Sequence, residues 1–177
     1  MKKMILFSVS LLLFISANAQ EGETFPSIEV MNLNDVSLTI PENTNGKFSL
    51  VGVAFSEDAQ SDLYTWSQPV FSEFMDDNNL SSLVYDPTVH LILMFTGANQ
   101  VAYNKAKKKI TEGTDKNLKD NIVLYKGAMD NYRKELKMKD RKKPYFFVLD
   151  KKGKIIYVAS GRYSAKILQD IGNLIEE

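Results

Sequence analysis

The sequence predicts an α/β domain in which a central mixed β-sheet is flanked by helices and preceded by an N-terminal β-hairpin. Three observations predict it. Two continuous apolar runs, "FSLVGVAF" and "TVHLILMF", have the length and composition of strands buried on both faces. Segments with helical apolar spacing alternate with strand-like segments, which implies parallel βαβ units. Near the C-terminus, "YFFVLDKKGKIIYVAS" reads as two strands around a tight turn, which adds antiparallel pairing.

The elements follow in chain order. Residues 20 to 27 are polar and read as a loose lead-in. "IEVMNL" and "VSLTI" alternate apolar and polar residues around "NLND" and predict the hairpin. "PENTNGK" is a turn cluster. "FSLVGVAF", residues 48–55, is the first central strand. A helix is expected from Asp58 to Asp77, because Leu63, Trp66, Val70 and Phe74 recur at helical spacing. Pro69 inside it removes one backbone hydrogen bond and kinks it, and "DDNNLSS" stops it. "TVHLILMF", residues 88–95, is the second central strand. "GANQVAYNKAKKKITEG" predicts an exposed helix with Ala102, Ala106 and Ile110 on its inner side, ended by Gly113. "NIVLY" is a third strand, and "AMDNYRKELKM" a helix with Met129, Tyr132 and Leu136 inward. The strand "YFFVLD", the turn "KKGK" and the strand "IIYVAS" come next. Ser164 caps a last helix, whose inner stripe is Ile167, Leu168, Ile171, Leu174 and Ile175.

The N-terminal "MKKMILFSVSLLLFISANAQ" has a basic start, an apolar run and a small-x-small site at Ala17-Asn18-Ala19. This is the pattern of a secretory signal peptide. Residues 1–19 are therefore expected to be removed, leaving one domain over 20–177 that begins at Gln20 and is periplasmic or secreted. The apolar run is short of the roughly 20 residues that span a bilayer, so the mature chain is not expected to cross a membrane. Basic and acidic residues balance at 22 each, which gives no general pull toward nucleic acid or an anionic membrane.

The chain contains no cysteine. Disulfides, thiolate nucleophiles and cysteine-ligated metals are excluded, and stability must come from burial.

Three segments together resemble the thioredoxin-like superfamily, most closely its exported TlpA and AhpC-like branch. "NGKFSLVGVAF" is similar to the lead-in to the active-site strand, and "DLYTWSQP" to the active-site helix with its kinking proline. "KKPYFFVLDKKGKIIYVASG" resembles the segment that carries a cis-proline, a hairpin and a closing glycine. The family's Cys-x-x-Cys lies at the helix N-terminus, where roughly half a positive charge stabilises a thiolate. Counting back from Pro69 places the pair at Ser61 and Tyr64, whereas counting forward from Phe55 places its first member at Gln60. The motif is absent in either register. The resemblance implies that Pro144 is the cis-proline and that a backbone edge beside it pairs with a peptide. Gln60, Ser61, Tyr64, Lys143, Pro144 and Tyr145 are the groove residues it implies. A cysteine-free thioredoxin-like branch serves in assembly of the mitochondrial ATPase, so the expectation is a non-catalytic domain that holds a protein or peptide partner as a chaperone, assembly or envelope accessory factor.

Other chemistry reads weakly. His90 is the only histidine and sits in an apolar strand. A serine nucleophile at Ser61 would need it as a base, which is the enzymatic alternative; a structural module of an envelope complex is another. One histidine does not make a zinc site. Glu57, Asp58 and Asp62 do not follow the twelve-residue calcium loop and read as helix-start carboxylates. Lys139, Arg141, Lys142 and Lys143 stand beside the implied groove and favour an acidic peptide or anion. No phosphate loop is present. No catalytic residue, metal or cofactor is assigned.

Overall fold

The computed structural model describes residues 21–44, 46–76, 78–79 and 85–175. The expected signal peptide and part of "DDNNLSS" lie outside the described residues. Seven strands form one mixed sheet: β1 (Ile28–Asn32), β2 (Ser37–Ile40), β3 (Ser49–Ala54), β4 (Thr88–Thr96), β5 (Ile122–Gly127), β6 (Tyr145–Leu149) and β7 (Ile155–Ser160). Their spatial order is β2-β1-β5-β4-β3-β6-β7. The pairs β3–β4 and β4–β5 are parallel, and every other neighbouring pair is antiparallel. The predicted mixed sheet with its N-terminal hairpin is the observed architecture.

The central strands owe their position to composition. All six residues of β3 are buried, as are eight of the nine in β4, which only a strand covered on both faces allows. Side chains alternate across the sheet. Val89, Leu91, Leu93 and Phe95 enter one core, with Leu63, Trp66, Val70 and Phe74 of helix α1 (Glu57–Phe74) and Leu168, Ile171 and Ile175 of the C-terminal helix. Ile92 and Met94 enter the other, with Phe25, Ile40, Val51, Phe147 and Met138.

Three details depart from the sequence reading. The segment 21–27 is tied down rather than loose. The Gly22 and Phe25 amides donate to the Ile155 and Gly153 carbonyls at 2.7 and 2.9 Å, and the buried Phe25 ring meets Phe147 edge-on at 5.5 Å. One aromatic anchor outweighs the polar composition around it. Next, residues 97–102 form 3-10 turns before helix α2 (Tyr103–Gly113) begins. The tighter turns rotate the face, so Tyr103 joins Ala106 and Ile110 against the core and Ala102 is exposed. Helix α3 is short, Asp130–Glu135, with Met129 and Leu136 buried at its two ends. The C-terminal helix α4, Ala165–Ile175, starts after Ser164 as expected.

Gly52 shows how closely α1 approaches β3. A Cβ there would lie 2.9 Å from Leu91 Cδ2 and 3.0 Å from both Leu63 Cδ1 and Phe146 Cε1. All three neighbours are buried, so none has free space to move into. Gly52→Ala should destabilise the domain by about 1–3 kcal/mol through overpacking. Urea unfolding would show this as a lower midpoint with an unchanged slope; a midpoint equal to wild type would mean that α1 sits further from the sheet.

Candidate functional site

The start of α1 is built by Ser56. Its hydroxyl oxygen accepts from the Ala59 amide at 3.1 Å, and its backbone is extended, the geometry of an N-cap. Glu57 and Asp58 fill the first turn, where the positive end of the helix favours carboxylates. The helix therefore begins one residue earlier than apolar spacing indicated, at Glu57. The signal was present in the sequence as Ser56-Glu57-Asp58.

Ser56 also reaches across the fold. Its hydroxyl donates to the Arg141 carbonyl at 2.6 Å. That joins the helix start to the loop leading into Pro144 and β6. The loop is folded by its own contacts. The Lys142 amide donates to Asp140 Oδ1 at 2.9 Å, and the Asp140 amide donates to the Tyr145 hydroxyl at 2.8 Å. Lys143 pairs with Asp140 at 3.6 Å. The Tyr145 ring lies nearly parallel to Phe55, centroids 6.4 Å apart.

A second set of bonds ties the same strand to the side of α1. Pro144 is buried, and its carbonyl accepts from the Gly161 amide at 3.0 Å. The Gly161 carbonyl in turn accepts from the indole N–H of Trp66 at 2.9 Å. Tyr163 donates its amide to Thr65 Oγ1 at 3.0 Å and meets the Trp66 ring edge-on at 5.4 Å. Arg162 pairs with Asp62 at 3.5 Å. Gly161 has φ of 101°, a backbone that a glycine adopts at little cost.

The sequence-derived groove residues fall into two groups. Gln60, Ser61 and Tyr64 lie one to two turns inside α1, on its outward side. Tyr64 is 45% exposed, and partial burial of its phenol raises its pKa. Lys143, Pro144 and Tyr145 lie at the entry to β6. Among the described residues no hydrogen bond, ion pair or ring contact joins the two groups directly. Ser56, Thr65, Trp66 and Gly161 make the connection. Neither Ser61 nor Tyr64 is at the positive end of the helix, which belongs to Ser56 through Ala59. The exposed Tyr163 belongs to this face as well; sequence reasoning missed it because its place depends on a long-range bond to Thr65.

The cis-proline expectation is corrected. The cis peptide among the described residues is Ile40–Pro41, and Lys143–Pro144 is trans. The trans form is the lower in energy for an X-Pro bond by about 0.5–1 kcal/mol. The Asp140 turn delivers Pro144 with its carbonyl already committed to Gly161. That carbonyl is not free to pair with a peptide.

His90 is 5% exposed, and both ring nitrogens lack a hydrogen-bond partner among the described residues. It stands opposite Val51, and alternation along β4 turns it to the face away from α1. The sheet separates it from Ser61, so a serine–histidine pair does not form. Burial lowers the His90 pKa from 6.5 to about 4. Among the described residues no group of three or more histidines and carboxylates is placed to hold a metal.

This sheet order, with a proline-led strand tied to the start of a helix that contains Pro69, defines a thioredoxin-like fold in a chain without thiols. Solved structures with this architecture include the exposed lipoprotein thioredoxin of Streptococcus pneumoniae. It is 15% identical, with a TM-score of 0.56, over 84% of this chain and 99% of that one. A DsbE-type putative thiol:disulfide interchange protein of Chlorobium tepidum is 10% identical, with a TM-score of 0.58, over 89% and 98%. The reduced 2-Cys peroxiredoxin of Plasmodium vivax is 14% identical, with a TM-score of 0.56, over 88% and 96%. No curated protein matches in sequence. The family described as ATP10 protein matches residues 13–175, and the chain belongs to that family.

The buried His90 generates a pH prediction. The unfolded chain takes up a proton there near the ordinary value of 6.5, and the folded chain only near 4. Stability contributed by the neutral ring is therefore present above 6.5 and lost as pH falls toward 4. Between pH 7 and pH 5 the loss from His90 should be about 2 kcal/mol. Urea unfolding at both pH values should show His90→Leu losing less stability than wild type by that amount. Equal losses would place His90 in contact with water or a partner group.

Proposed function

We propose that the protein is an exported accessory factor in the assembly of a protein complex, holding a protein or peptide partner without catalysis. The observation that carries this reading is the Ser56–Arg141 bond in a chain without cysteine. The helix start and the loop leading into Pro144 are held together, yet no thiol is there to react. Membership of the ATP10 family supports an assembly-type role. The proposed contact face carries Gln60, Ser61, Tyr64, Lys143, Pro144 and Tyr145, with Tyr163 beside Trp66. Tyr64 and Tyr163 supply aromatic area at 45% and 38% exposure, and such side chains dominate protein interfaces. With its own carbonyl bonded to Gly161, Pro144 shapes this face rather than offering a strand edge. Among the described residues no helix is long and apolar enough to cross a membrane. Export rests on the basic-apolar-small pattern of residues 1–19.

A photo-crosslinking amino acid at position 64, in the cell envelope of the producing organism, tests the reading. The expected result is a discrete cross-linked partner from position 64 and none from position 36, an exposed position in the β1–β2 hairpin at the far side of the sheet order from β3. Cross-links from position 36 alone would move the interface to the hairpin edge. None from either would remove the partner-holding role.

A further inference from the structure

A cavity of about 330 Å³ opens at the C-terminal ends of β4 and β5, lined by Thr96, Gln100, Met129, Asp130, Arg133 and Arg141. In sheets of this type ligands sit outside the carboxyl ends of parallel strands. Two arginines line it from different elements, Arg133 from α3 and Arg141 from the loop before β6. Among the described residues neither has an ion-pair partner. Asp130 and Arg133 are three apart on α3, a spacing at which helix charges can meet, yet no ion pair forms between them. The lining therefore carries two arginines against one aspartate, an excess of one positive charge.

We propose that this cavity is a binding site for a single carboxylate on an aliphatic stem, of the kind a glutamate side chain in a partner segment presents. The excess of one positive charge matches a monoanion. The Asp130 carboxylate repels any anion there, and a phosphate dianion about twice as strongly as a monocarboxylate. Arginine's planar fork donates two parallel hydrogen bonds to a carboxylate. The buried Met129 supplies apolar lining for the stem, and Thr96 and Gln100 add polar lining, the Gln100 side-chain amide donating to the Gly127 carbonyl at 3.3 Å. Arg141 is also the residue whose carbonyl is held by Ser56, so one of the two guanidinium groups stands on a loop tied to the start of α1. The site rests on the cavity and its charges alone. It stands whether or not the face around Tyr64 holds a partner.

The test is an NMR titration of the purified chain, following the arginine Nε–Hε signals and the Gly97 amide. The probes are sodium propionate, a capped pentapeptide with a central glutamate, its glutamine counterpart, and inorganic phosphate. Expected are saturable shifts with propionate and the glutamate peptide, and none with the glutamine peptide. R133Q and R141Q should each weaken binding about tenfold. Both positions are exposed, and unchanged melting would show that the variants fold. No saturable shift, or shifts that survive in the R133Q/R141Q double variant, would overturn the site. Phosphate binding more tightly than propionate would overturn its assignment to a carboxylate.

Discussion

Trp66 holds the architecture of this face together. Its side chain is fully buried in the core between α1 and the sheet. The ring packs on Phe146 at 4.3 Å, and its N–H ends on the Gly161 carbonyl. Burying such a side chain is worth about 3–5 kcal/mol against alanine. An indole N–H left without an acceptor would cost a further 1–3 kcal/mol or so. Packing and polarity therefore demand one position for the β7–α4 loop. Gly161 passes that demand on, because its amide holds the Pro144 carbonyl. A single aromatic residue thus aligns α1, the entry to β6 and the loop that presents Arg162 and Tyr163.

Ser56 closes the other end of the same arrangement. The positive end of a helix is a place where a thiolate would be stabilised. Here the N-cap hydroxyl serves the helix as acceptor and the Arg141 carbonyl as donor. Both roles are structural, and the chain carries no thiol to replace them. His90 adds nothing to the site, because the sheet lies between it and α1. What remains exposed on this face is aromatic and charged surface, with Tyr64, Tyr163 and Arg162 among it.

Much of this was legible in the sequence. The apolar runs of β3 and β4, the hairpin around "NLND" and the turn at Gly153 are local patterns whose physics does not depend on distant residues. Phe25 and Ala102 were misread because a single anchor and a change of helical pitch overrode composition and periodicity. The site was less legible. Its residues were placed by family resemblance, which implied a cis bond at Pro144, whereas the Asp140 turn and the Gly161 bond lead that proline into β6 in trans. The bonds from Ser56 to Arg141 and from Thr65 to Tyr163 join residues far apart in the chain, and no spacing rule announces them. The Ser56 cap alone had a local signal.

Amide and indole hydrogen exchange tests most directly the claim that one buried tether aligns this face. The Trp66 indole N–H and the Gly161 amide should exchange only with global unfolding, as slowly as the amides of β3 and β4. Exchange of either at the rate of the exposed α2 surface would contradict a fixed junction, and with it a preformed face for a partner.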